Sequence, residues 1–288
     1  MENTAPVAST NPLFKYFRQP AIYIKLPSNG QYWPEGALEL PLTGEIPIYP
    51  MTAKDEVTLR TPDALMNGSG VVDVIHSCCP NIVNAWKMPS VDVDAVLIAI
   101  RIASYGHNMV VDTTCPFCKE ENSHTVDLRI SLSSIHSPNY SNTVDIENLK
   151  IKIKPQPYFG VNRGNAIGFE EQKIMQAIEK SDLDADGRTK LVAESMKKLL
   201  EITIETVSSS TEYIELSDGN QVIDQKFINE FYNNSDGAIV RAIQNRLSEL
   251  NQEGAIQTQR ASCNSAECGK EYEIPLVFDY ANFFANGS

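Results

Sequence analysis

The spacing of apolar and polar positions changes period several times along the chain, and each change marks an element. From Ala21, "AIYIKLP", the turn "SNGQ" and then "ALELPLTGEIPIYP" read as short extended pieces. Their prolines cannot donate to a sheet ladder, so they predict a small β-layer with edge strands. At "MTAKDEVTLRTPDALMNGSG" the period turns helical. Thr52 with Asp55 has the form of a capping pair, and Thr61-Pro62 fits an N-cap followed by a first helical residue. A further helix is expected from about Val71 to Cys78, ending before Pro80. Ser90 is positioned to cap the most apolar run, with Asp92 near the positive end of that helix. The run from Val91 to Ala103 carries Asp92, Asp94 and Arg101 and falls short of the ~20 residues that span a bilayer, so it predicts a buried helix.

Residues 109–130 alternate on both sides of "CPFC", which predicts a hairpin with Cys115 and Cys118 at its tip. Residues 131–146 read as a polar loop and "LKIKIKPQPYF" as a strand. "PYFGVNRGNAIG" lacks the spacing of either phosphate-binding fingerprint and reads as a loop. Residues 166–252 are helical by pattern. One stripe is Val192, Met196, Leu199 and Leu200, a second Ile239, Ile243, Leu247 and Leu250, a third Ile223, Phe227 and Phe231. Each is expected to pack helix on helix. The chain closes with "CNSAECGKEYEIPLVFDYANFF", a second cysteine-tipped segment entering an apolar strand.

Together these elements predict an α+β fold with four parts. Residues 1–20 form a flexible arm, and 21–108 a β-layer with a compact helical region. Segments 109–130 and 258–284 make a split zinc-ribbon-like β element, and 131–257 a strand plus helical insertion between its knuckles.

Charge narrows the partners. A formal net charge of −13 over 288 residues argues against nucleic acid, which needs a basic surface. No basic-then-apolar leader opens the chain, so its six cysteines are expected to be reduced thiols, suited to metal binding or burial.

Cys115 and Cys118 supply half of a tetrahedral site, and Cys263 with Cys268 supply the rest. Gly269 suits the positive backbone angle that such a turn often needs, whereas the first pair is followed by Lys119. The pairs are separated by 144 residues, against ~15–20 in a simple ribbon. Closing the longer loop costs only about 2 kcal/mol more, set against roughly 10–16 kcal/mol for structural zinc in small peptides. A redox dithiol at Cys115/Cys118 leaves Cys263 and Cys268 unexplained and lacks the βαβ context. Four thiolates leave no open position, so one structural Zn2+ is expected.

Other motifs fall away. "DLDADG" imitates a calcium loop, but Ala193 stands where the bidentate Glu belongs. Cys78-Cys79 reads as buried core, and His76, His107, His124 and His136 are scattered, with only His124 close to a cysteine pair. No catalytic constellation emerges, and no enzyme is expected.

The strings "FKYFRQPAIYIKLPSNGQYWPEGALELP", "PIYPMTAKDEVTLRTPDALMNGSGVVDVIHSCCPNI" and "WKMPSVDVDAVLIAIRIASYG" resemble the baseplate hub subunit and hub-assembly proteins of T-even-type contractile-tailed bacteriophages. The "CPFC" knuckle and the closing "FDYANFF" are similar to that family as well. The resemblance covers about residues 11–130 and 260–284 and is weaker between them. It implies a viral tail morphogenesis protein, a hub subunit or an assembly chaperone, made in the host cytoplasm and acting on other baseplate hub or tail proteins. Region 52–105 is the candidate contact surface, with Met66, Trp86 and Met88 either as interface anchors or as plain core residues. The competing class is a zinc-ribbon adaptor for nucleic acid or transcription machinery, which Glu120, Glu121, Glu267 and Glu271 beside the knuckles oppose.

Overall fold

A computed structural model describes residues 11–61, 68–180, 184–274 and 283–284. The fold is α+β, built on three hydrophobic clusters.

The first cluster forms under β1 (Ile22–Lys25) and β2 (Glu45–Ile48), antiparallel with Ile22 opposite Ile48 and Ile24 opposite Ile46. Between them "ALELPL" makes only an isolated bridge, Leu38 to Ile82, rather than the expected strand. Helix α1 (Ala53–Leu59) starts in the predicted capping box, with the Thr52 hydroxyl accepting from the Asp55 backbone and the Asp55 carboxylate accepting from that of Thr52. The Pro62 and Met66 side of this region lies outside the described residues. Helix α2 (Ser69–Cys78) follows from Gly68 at φ 75°, and α3 (Ser90–Tyr105) is buried almost all round from Val93 to Ile100. A helix apolar on every side belongs at the centre of a core. Ser90 does not cap it: Pro89 is the N-cap, and the Ser90 amide donates to the Gln156 carbonyl at 2.8 Å. Asp92 turns away from its own helix end. Its carboxylate accepts from the Ser28 amide (2.8 Å), the Ser28 hydroxyl (2.5 Å) and the Trp33 indole (2.8 Å), which pins the loop after β1 to α3. Phe283 and Phe284 return to this same core.

After α3 the chain forms the hairpin β3 (Asn108–Thr114) and β4 (Glu121–Asp127), paired along their full length. Its continuation is not extended: Asp127 caps a helix, α4 (Leu128–Ser134), by accepting from the Arg129 amide. The expected polar loop contains β5 (Thr143–Ile146), which pairs with β6 (Leu149–Ile153).

Helix α5 (Tyr158–Glu179) begins earlier than expected and runs straight through Gly160, Gly164 and Gly168, the segment read as a loop. It packs against α6 (Ala185–Ser209), capped by Asp184; the remainder of "DLD" lies outside the described residues. The helical expectation then fails, because β7 (Thr211–Glu215) and β8 (Gln221–Val222) complete a four-stranded antiparallel sheet in the order β5-β6-β7-β8. Helices α7 (Gln225–Asn234) and α8 (Gly237–Glu253) help build the second cluster over this sheet. The Ile239–Leu250 stripe faces that core, but Ile223 and Phe227 are 70% and 63% exposed. Helix α7 instead buries Ile228 and Tyr232, one residue further round. On α6 the stripe is split, with Val192 and Leu199 half-buried and Met196 and Leu200 exposed, while Ile204 and Val207 beyond it enter the core. Finally β9 (Gln259–Ser262) and β10 (Glu271–Ile274) form the second cysteine-tipped hairpin.

Candidate metal centre

Both hairpins end in turns that aim sulfur inward. In the first, the Cys115 amide donates to the Glu120 carbonyl (2.9 Å) and the Lys119 amide to the Cys115 carbonyl (3.0 Å). In the second, the Cys263 amide donates to Lys270 (2.9 Å) and the Gly269 amide to the Ser265 carbonyl (3.1 Å). The residue after the second cysteine is left-handed in both turns, Lys119 at φ 66° and Gly269 at φ 56°. The first knuckle thus adopts the glycine-like conformation with a lysine, held by the same i to i+4 amide bond as the second.

These turns bring the four predicted sulfurs together. The Sγ atoms of Cys115, Cys118, Cys263 and Cys268 all lie within 4.8 Å of one another. Cys118 to Cys263 is 3.5 Å and Cys115 to Cys268 is 3.9 Å. A tetrahedral ion with ~2.3 Å metal–sulfur bonds sets sulfurs about 3.8 Å apart, whereas a disulfide needs about 2.05 Å. The donor set fits a thiophilic cation. Cys115 and Cys263 are buried, Cys268 half-buried and Cys118 exposed.

Four thiols this close cannot all ionise alone. Burial pushes Cys115 up, but N–H groups of Cys118 and Phe117 donate to it and draw it down to about 7. At Cys118 the Glu120 backbone bond lowers the thiol, yet burial and the three neighbouring sulfurs outweigh it and push it up to about 12. A bound dication removes that mutual repulsion, because thiolates are the ligand form.

The supporting groups were not anticipated. Asn122, 3% exposed, donates from Nδ2 to the Cys263 sulfur at 3.7 Å, while its Oδ1 accepts from the Asn264 amide at 2.7 Å. One side chain thereby ties the first hairpin to the turn of the second. Its signal was parity: Asn122 shares a strand face with buried Val126. Tyr272 does similar work, its hydroxyl lying 2.7 Å from Thr113 Oγ1 and 2.8 Å from His124 Nε2. His124 therefore addresses Tyr272 and not the sulfurs.

The candidate anchors fare differently. Met66 lies outside the described residues. Met88 is fully buried in the first core, so its thioether packs and offers no surface. Trp86 is half-buried, stacked on Tyr158 at 5.8 Å and edge-on to exposed Phe159. Cys78 and Cys79 are buried as expected.

A family model described as T4 bacteriophage base plate protein matches residues 21–285. The chain belongs to that family. The matched range takes in both cysteine hairpins and the residues between them. Comparison with curated proteins and with solved structures gives no match. Among the described residues of the base plate protein, no helix is long and apolar enough to cross a membrane.

Proposed function

We propose that this base plate protein is a hub subunit or hub-assembly factor of a contractile tail, working through protein contacts and braced by one structural zinc ion. The family match over residues 21–285 carries the reading, since a base plate role is one of assembly rather than catalysis. The sulfur cluster supports the brace: Cys115, Cys118, Cys263 and Cys268 would hold the ion, and four thiolates leave no position for substrate. Zinc would supply charge neutralisation and a fixed angle between the two hairpins. Asn122 and Tyr272 orient the hairpins around it. On this reading the protein assembles in the host cytoplasm and contacts other hub or tail proteins.

Affinity purification from infected cells, beside mass spectrometry of purified particles, tests the assignment. Recovery of hub proteins is expected, and the particle inventory separates a resident subunit from a transient factor. Recovery of no tail protein in either sample would refute the role. Elemental analysis is expected to give one zinc per chain, and a zinc-free protein that folds normally would remove the brace.

A further inference from the structure

An open cleft of about 770 Å³ lies where α3, α5, α6 and α8 meet, between the first and second cores. That volume falls within the roughly 300–1,000 Å³ of typical ligand sites. Its lining is mainly apolar and neutral, including Val161, Ile202 and Leu247, with Asn165 and Asn251 offering amides. Asp94 is the single charged side chain among the described lining residues.

The carboxylate of Asp94 has no hydrogen bond or ion pair among the described residues, in contrast to Asp92 on the same helix, which has three hydrogen bonds. Nearby, the buried Tyr158 hydroxyl also lacks a partner, and Asp94 is close enough for its charge to act on it. Asp94 is half-buried, and a carboxylate largely withdrawn from water without a counter-ion is costly, a cost that pairing with a cation offsets.

The cleft is also kept open at a cost. Gly164 lines it from inside α5, where glycine costs about 1 kcal/mol relative to alanine. Packing does not demand that glycine, because a Cβ there meets only Ile202 Cγ2 at an ordinary 3.8 Å. The missing side chain leaves room in the cleft.

We propose that this cleft is the docking site for a partner polypeptide that inserts a lysine or arginine side chain against Asp94. The alkyl stem lies on Val161, Ile202 and Leu247 and the cationic head meets the carboxylate, the division that long basic side chains favour. The asparagine amides face the partner's backbone. This inference rests on the protein-contact reading above, though not on the metal.

The test uses the whole 288-residue chain, with zinc supplied, and an array of overlapping peptides tiling the base plate proteins of the same phage, with affinities measured by fluorescence polarisation. Bound peptides are expected to share a lysine or arginine whose replacement by norleucine weakens binding about tenfold or more. Asp94→Asn is expected to lose as much, and Gly164→Leu, which fills the cleft while favouring the helix, to abolish binding. Circular dichroism and zinc content of each variant separate a closed cleft from a lost fold or a lost brace. Three results would overturn the proposal: no peptide bound, bound peptides indifferent to Asp94→Asn, or agmatine binding as tightly as the best peptide, which would make this a small-cation site.

Discussion

Asp94→Asn should make the protein more stable near neutral pH. Burial raises this carboxyl from its ordinary 3.8 to about 6, with no neighbouring cation to oppose the effect. Because the folded state holds the proton more tightly than the unfolded chain, its contribution is intact below pH ~4 and is lost as pH rises through about 6. Linkage then gives a wild-type deficit of at most about 1.5 kcal/mol at pH ~5 and about 3 kcal/mol by pH ~7.5, less whatever water reaching the half-buried side chain screens. The isosteric amide cannot ionise and escapes that deficit. Urea denaturation of both proteins across this range, with zinc present throughout, measures the difference. A stability gain that grows with pH supports the account. A gain independent of pH would show that burial does not shift this carboxyl, and a loss that grows with pH would show that the folded state stabilises its anion; either refutes the reasoning. The result also bears on the cleft, since stability withheld at one unpaired acid is what a binding site costs.

Other expectations follow from the same contacts. Cys263→Ser should lower zinc stoichiometry by elemental analysis together with folding stability, and unchanged metal content would defeat the site. Asn122→Ala should weaken zinc affinity about 10–100-fold in chelator competition, because it orients Cys263 and its turn. Zinc affinity should fall steadily as pH drops from alkaline to acid, since thiols must shed protons to bind, and a flat profile would exclude thiolate ligation. Asp92→Ala strands the Ser28 amide and the Trp33 indole in a buried site and should cost about 2–4 kcal/mol in urea, with a loss under about 1 kcal/mol counting against the network.

What the sequence disclosed was largely local. The Thr52/Asp55 capping box is written in residues three apart, and the Val91–Ala103 run announces a buried helix by composition alone. The cysteines were legible because thiol pairs carry metal chemistry whatever the intervening length. Hidden features depended on distant partners. Strand β7 has few residues facing the core and gains its identity from pairing with β6, across two intervening helices. The glycines of α5 argued for a loop, and packing against α6 overrode that propensity. Lys119 bears no sign of a left-handed turn; the knuckle's amide bonds impose it. The α7 stripe had the right period but marked the wrong face, since Asp224 caps a helix that buries Ile228 and Tyr232.

The position of the brace relative to the cleft follows from chain order. Strand β3 begins just after α3, and β9 just after α8. Helices α3 and α8 contribute to the cleft walls, so the sulfur cluster joins the strands that leave two of them. A metal would not be the sole tie between these regions. Tyr272 bridges the hairpins through Thr113 and His124, and Phe283 and Phe284 are buried in the first core at about 1.5–3 kcal/mol each. With those contacts holding the chain end in place, an ion at the knuckles would contribute orientation as well as stability. Bound there, it would also fix the angle at which the 144-residue span leaves and rejoins the rest. A rigid joint there is worth most to a protein whose partner must fit between the two.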